Sequence, residues 1–302
     1  MRMGIDLGGT KIEGVIIDEA GEVRARRRVA TPSIYDHVLS ALIDLVGSLE
    51  NEGGWVRSIG IATPGALRDG AMQNAHHTAL QGKPFLSDIE RALGRPVRLA
   101  NDAHCFALSE AIDGAAAGAR VVFGVVVGTG VGGALVTGGQ LHVGPNGLCG
   151  EWGHNPLPWA RPDERPGPEC ACGRRGCIES WLSGGALSRD HEIVTGEKQA
   201  GEQILARAIA GNRGCRATLG RYADRMARAL ATIINTIDPD VIVVGGGLSQ
   251  ITALYRLVPM LWKDHVLSPA STPLVPGQHG DAGAVRGAAW LWPKRPLTVG
   301  RA

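Results

Sequence analysis

An α/β fold with two domains around a cleft is what this sequence predicts, on three observations. Apolar runs of strand length alternate with longer segments of helical period. A strand followed by a glycine turn occupies residues 3–17 and is met again at 121–136, as duplicated domains would show. The chain has 302 residues, 44% hydrophobic and 20% charged, enough for a sizeable core beneath a soluble surface.

Residues 3–7 and 12–17 are short apolar runs parted by Gly8-Gly-Thr-Lys11, and Asp18-Glu-Ala-Gly21 turns the chain into a third strand near 23–29. These make a meander of three antiparallel strands. Val38, Leu39, Leu42, Leu45, Val46 and Leu49 recur at helical spacing, so 36–50 is a helix leading into the strand Ile59-Gly-Ile-Ala62. Val97-Arg-Leu-Ala100 is a strand ending at Asn101-Asp102, and 103–116, rich in alanine and leucine, is a helix. Small residues near 115–119 mark the crossing between an N-terminal domain at 1–117 and a C-terminal domain at 118–283. Val121–Val127 opens the second strand set and ends in Gly128-Thr-Gly-Val-Gly-Gly133. The helix Leu219–Ile237 stops at Asp238-Pro239, as helices do before proline, and Val241-Ile-Val-Val244 leads into Gly245-Gly-Gly247. A closing helix at 283–292 follows, and the segment from about 284 to 302 is expected to pack back on the first domain.

Composition excludes several classes. A formal net charge of +2 is close to balance, and the basic run Arg24–Arg28 is broken by Ala25 where an edge strand would be solvated, so no nucleic-acid partner is expected. The N-terminus lacks the apolar run of a signal peptide, and no apolar segment reaches membrane-spanning length. A cytoplasmic protein without membrane contact is expected. Six cysteines, three of them clustered, fit a reducing compartment and not a disulfide framework, while Cys105, Cys149 and Cys215 read as small buried apolar side chains. The 44 glycines fall in clusters, which suggests places where backbone approaches a ligand.

The cluster Cys170-Ala-Cys172-Gly-Arg-Arg-Gly-Cys177 lies downstream of Glu151-Trp-Gly-His154. Three thiolates and an imidazole suit a tetrahedral, structural zinc ion with no position open for water. One ring nitrogen of His154 would bind the metal and the other would face a substrate. Asp6-Leu-Gly-Gly-Thr-Lys11 joins two strands by a turn whose amides, at Gly8, Gly9, Thr10 and Lys11, could hold phosphate, with Asp6 holding water around magnesium. Alone it would equally be a glycine hairpin with a buried aspartate. Gly128, Thr129, Gly130, Gly132 and Gly133 form a second phosphate-sized turn, and Gly246 and Gly247 a third, placed to lie against a base or ribose. Three such turns at strand ends point to a nucleotide. Phosphoryl transfer to an alcohol needs a proton acceptor and Mg2+. Asp102, where a strand passes into a helix, is the candidate general base, with a helix N-cap as its structural alternative. Asn101, Glu151, His154 and Glu179 supply donors and acceptors in the number a sugar requires.

Asp6-Leu-Gly-Gly-Thr-Lys11, Leu99-Ala-Asn-Asp-Ala103, Glu151-Trp-Gly-His154, Cys170-x-Cys-Gly-x-x-Gly-Cys-x-Glu179 and Asp238-Pro-Asp-Val-Ile-Val-Val-Gly-Gly-Gly247 together resemble the ROK family of sugar kinases, nearly end to end. The resemblance implies an actin-like ATPase (ribonuclease H-like) fold, ATP and magnesium in the cleft, a hexose 6-hydroxyl as phosphate acceptor, and a homodimer. It makes Asp102 the catalytic base, Asn101, Asp102, Glu151, His154 and Glu179 sugar ligands, and His154, Cys170, Cys172 and Cys177 zinc ligands. Gly65 falls in a sugar-side loop. His76 stands where relatives often carry a sugar-binding asparagine. The likeness is greatest to the bacterial fructokinase branch, so fructose is the expected substrate, with N-acetylglucosamine or glucose as alternatives. The family also holds repressors with a helix-turn-helix domain ahead of this fold. The Asp6 strand starts too early here for such a domain to be expected.

Overall fold

The computed structural model describes residues 1–75 and 78–292. His76 and the part of the expected closing segment beyond 292 lie outside the described residues. The chain forms two compact units, Met1–Asp113 with Ala282–Ala302, and Gly114–Asp281.

In the first unit, β1 (Arg2–Leu7), β2 (Lys11–Ile17) and β3 (Val23–Ala30) form an antiparallel meander, and α1 (Tyr35–Gly53) returns the chain to β4 (Ile59–Thr63). A separate hairpin, β5 (Ala66–Arg68) with β6 (Ala71–Gln73), precedes α2 (Phe85–Leu93), β7 (Val97–Asn101) and α3 (Asp102–Asp113). The sheet order is β3-β2-β1-β4-β7, with β4 parallel to both β1 and β7. α3 ends at Asp113, short of the expected 116, because Gly114 and the small residues after it make turns closed by the amides of Ala117 and Ala119.

The second unit repeats this topology. β8 (Val121–Val127), β9 (Val131–Thr137) and β10 (Gln140–His142) form its meander. α4 (Glu179–Leu182), α5 (Gly184–Thr195), α6 (Gly201–Ile209) and α7 (Arg213–Ile237) precede β11 (Val241–Gly245), and α8 (Leu254–Leu261) precedes β12 (Leu274–Pro276). The order β10-β9-β8-β11-β12 mirrors that of the first sheet, with β11 parallel to β8 and β12. α7 starts at Arg213, ahead of the expected Leu219, because the Asn212 side chain caps it by accepting from the Cys215 amide at 2.9 Å.

The chain then re-enters the first unit as α9 (Gly283–Trp290). Paired residues share a sheet face, and Gly4 of β1 pairs with Gly60 of β4. A Cβ at Gly4 would meet the Ala289 nitrogen at 2.6 Å, and one at Gly60 would meet the Ala288 carbonyl carbon at 2.8 Å, so α9 lies against the sheet backbone. The opposite face is covered by α1, whose Leu49 would stand 2.6 Å from a Cβ at Gly14. Cys105 and Cys215 are buried as expected, and Cys149 is half-buried. Among the described residues no helix is long and apolar enough to cross a membrane.

Candidate functional site

In the first unit the pairing register places Arg28, Glu13, Asp6, Ala62 and Ala100 in one row across the sheet, on one face. Glu13 is buried and accepts from Arg26 Nε at 2.6 Å and Arg28 at 2.7 Å, with Lys11 Nζ 3.9 Å away. Desolvation works to raise its pKa, but the two arginines hold it below the usual carboxylate range. A charge inside an apolar strand is a signal of this residue that is visible in the sequence. Asp6, beside it, is pushed up to about 6, first by desolvation and next by the charge of Asp102, against the pull of Lys11. A carboxylate whose charge is opposed by burial and by a neighbouring carboxylate suits a site that receives a cation.

The turn after β1 is closed by the Gly8 amide donating to the Lys11 carbonyl at 3.0 Å, which leaves Gly9 and Thr10 at its exposed tip. Thr31 braces it through a hydroxyl bond to the Gly8 carbonyl at 2.7 Å. Asn101 and Asp102 occupy the end of β7 and the start of α3, and both side chains accept from the Ala103 amide, at 2.9 and 2.8 Å. Asp102 therefore does serve the helix N-terminus, as its structural alternative required. Desolvation raises its pKa, opposed by that amide and by His104, and the solvent exposure of the side chain limits how far the rise goes. Asn101 also donates from Nδ2 to the Gly65 carbonyl at 3.4 Å, which joins two of the expected sugar-side residues. Gly65 has φ +77, and a Cβ there would fall 2.8 Å from the Ala75 nitrogen.

In the second unit, the turn between β8 and β9 consists of Gly128, Thr129 and Gly130, with Thr129 exposed. The turn after β11 stands beside it, since a Cβ on Gly128 would lie 3.9 Å from the Gly247 amide. Both turns follow the carboxyl ends of neighbouring parallel strands, where ligands collect in α/β sheets. Gly246, at φ +83, must be glycine also because a Cβ would come 2.7 Å from the Val127 carbonyl carbon. Gly132 and Gly133 lie inside β9, paired to Val126 and Val125. There the Gly132 carbonyl accepts from Trp152 Nε1 at 2.8 Å, and the indole leaves no room for a Cβ on Gly133. Packing against Trp152 accounts for glycine at 133.

Glu179, the first residue of α4, reaches the turn between β8 and β9. Its Oε2 accepts from the Val131 amide at 2.9 Å and would stand 2.8 Å from a Cβ on Gly130, while its Oε1 lies 3.7 Å from Cys170 Sγ. His154 closes the 3-10 turn Glu151–His154. Its Nδ1 is 3.5 Å from Cys170 Sγ, and its Nε2 is 3.9 Å from Glu151 Oε2. Cys172 and Cys177 stand with sulfurs 3.6 Å apart, and the candidate ligand atoms of His154, Cys170, Cys172 and Cys177 all fall within 4.8 Å of one another. Tetrahedral zinc, with Zn–S of about 2.3 Å, sets neighbouring donors roughly 3.5–3.8 Å apart, so the set fits that ion. Burial pushes the Cys177 thiol up to about 12, whereas a hydrogen bond to the Arg174 backbone lowers that of exposed Cys172. Zinc, when bound, would hold all three as thiolates and fix the His154 ring, with Nε2 turned to Glu151.

The pattern of the ROK family matches residues 2–295. The chain is 38% identical over 299 residues to the N-acetyl-D-glucosamine kinase of Photobacterium profundum, covering 96% of this chain and 99% of that one. It is similar in structure to the ROK hexokinase from Thermus thermophilus, with a TM-score of 0.86 at 31% identity and coverage of 96% and 97%. It also resembles a ROK family glucokinase from Streptomyces griseus solved with glucose and AMPPNP, with a TM-score of 0.76 at 28% identity and coverage of 95% and 97%.

Proposed function

The chain belongs to the ROK family, with the actin-like ATPase fold of its sugar kinases, and we propose that it transfers the γ-phosphoryl group of ATP to the 6-hydroxyl of N-acetyl-D-glucosamine. That it is a sugar kinase follows from the family and its relatives. The choice of sugar rests on one observation, the near full-length similarity to N-acetyl-D-glucosamine kinases at 38% identity. The fructose expected from the sequence gives way to it, since these relatives carry no fructokinase name.

In this reading Asp102 accepts the hydroxyl proton. Its carboxyl is accessible, its pKa is raised, and it sits at the carboxyl end of a strand beside Asn101. Asn101, Glu151, His154 and Glu179 bind sugar hydroxyls, with Gly65 shaping the Asn101 side. Magnesium, when bound through water at Asp6, neutralises phosphate charge, and the turns at Gly8–Lys11, Gly128–Gly130 and Gly246–Gly247 supply phosphate and nucleotide contacts. The zinc set holds His154 in place and takes no part in the chemistry.

The test is a panel of N-acetylglucosamine, glucose, mannose and fructose with Mg-ATP, compared by kcat/KM, on the intact chain and on Asp102→Asn. N-acetylglucosamine should rank first, and Asp102→Asn should lower kcat by about two to four decades while keeping sugar KM, the usual range for losing a general base. Fructose or glucose ranking above N-acetylglucosamine would refute the sugar. Sugar binding with no ATP turnover in the intact chain would refute the kinase reading in favour of a regulator.

A further inference from the structure

Between His154 and Cys170, which both belong to the metal set, the chain has no strand or α-helix and only the 3-10 turn Pro162–Glu164. Over 155–169 just two side chains are buried, Leu157 and the carboxylate of Glu164. A segment with so little apolar anchorage must be shaped by something else. Glu164 accepts from Arg228 Nη1 at 2.9 Å and Nη2 at 2.8 Å, from Arg225 Nε at 2.9 Å, and from the Arg161 amide at 3.0 Å.

Arg228 rises from the middle of α7 and its side chain is 2% exposed. Besides Glu164 it donates from Nη1 to the carbonyls of Pro158 and Trp159, both at 3.1 Å, and from Nε and Nη2 to Asp224, at 3.1 and 2.9 Å. Each guanidinium nitrogen is engaged. Trp159 has φ +47, a conformation that bulky residues rarely adopt, and it is held at the carbonyl that Arg228 grips. One side chain thus fixes the middle of a segment whose two ends deliver His154 on one side and Cys170, Cys172 and Cys177 on the other.

We infer that Arg228 and Glu164 are positioning residues for the metal clamp, and through His154 for the sugar. They pre-set the separation of the two halves of the ligand set, so that metal binding does not have to order the segment. The part of this inference that concerns sugar rests on the kinase reading above. The part that concerns metal does not.

Glu164→Gln removes the charge and keeps the shape, and Arg228→Lys keeps the charge and loses the fork. Asp190→Asn serves as comparison, because Asp190 belongs to the same ionic network through Arg225 and Arg221, at 2.8 and 2.7 Å, without touching the segment. In zinc-loaded protein of unchanged far-ultraviolet circular dichroism, the first two variants should release zinc to a chelator about tenfold faster or more, the range seen when a supporting residue is lost. They should raise sugar KM by about tenfold and leave ATP KM within about twofold. Asp190→Asn should lower the melting temperature without moving zinc release or sugar KM. Wild-type zinc release in folded Glu164→Gln and Arg228→Lys would overturn the inference, and so would an equal acceleration in Asp190→Asn, which would mark general loosening. Should Glu164→Gln not accumulate, Glu164→Asp, which shortens the reach and keeps the charge, carries the same expectation. If no sugar is phosphorylated by the intact chain, the kinase reading falls and zinc release still decides this one.

Discussion

The surroundings of Asp6 make its charge costly. Its carboxyl is raised to about 6 by desolvation and by Asp102, so in the metal-free chain its charge is a liability that a cation removes. The sign follows from linkage: a pKa higher in the folded state than the ordinary carboxylate value of 3.8 contributes stability below 3.8 and loses it as pH rises through about 6. Asp6→Asn should therefore raise the melting temperature of magnesium-free protein at pH 7 to 8 and leave it nearly unchanged at pH 4, while turnover falls. An equal gain at both pH values would show that the charge of Asp6 is not what is strained. Glu13, in the next strand, is the reverse case, because two arginines hold its charge in place.

At the scale of elements, the proposed zinc clamp would couple a 3-10 turn, an irregular segment and the start of α4. Cys172 is its exposed member, so Cys172→Ala takes away one ligand with little loss of core. The variant should lose zinc by elemental analysis and bind sugar more weakly, since His154 and Glu179 both lean on the cluster, the latter with Oε1 3.7 Å from Cys170 Sγ. Unchanged sugar KM in zinc-free protein would separate the metal from the site. The clustering of these side chains was legible in the sequence because Cys170, Cys172 and Cys177 are close neighbours along the chain. The meander strands and α1 were legible for the same local reason, their apolar period. What escaped is held by partners far off in sequence: Glu13 by Arg26 and Arg28, and Glu164 by Arg225 and Arg228. The β5–β6 hairpin is too brief to show a period, while α5 and α6 bury few apolar residues, Ala186 and Leu187 in one and Ile204 and Ala208 in the other, and α5 is set by the Ser183 cap, which accepts from Ala186 at 3.3 Å. Gly133 misled because glycine that admits a phosphate and glycine that admits an indole look alike in sequence.

At the scale of the whole chain the two units differ in continuity, and that difference has a testable consequence. The second unit runs unbroken from Gly114 to Asp281, and its core of β8, β9, β11, α7 and α8 residues is drawn wholly from that span. The first unit is discontinuous: α9 arrives from the far end of the sequence and lies on Gly4 and Gly60, while a Cβ at Gly287 would come 2.8 Å from the Cys105 Cα of α3. Those glycines leave the sheet face bare without the helix, and Val285, Ala288 and Ala289 are fully buried there. A chain ending at Asp281 should thus keep its second unit and lose its first. Hydrogen exchange should find amides of β8, β9 and β11 still protected and zinc still bound, with those of β1, β4 and α3 exchanging freely. The span 114–281 produced alone should likewise fold and bind one zinc ion per chain. Protected β1 and β4 amides in the truncated chain would mean that α9 is dispensable to the first sheet, and an unfolded 114–281 would mean that the second core is not sufficient by itself.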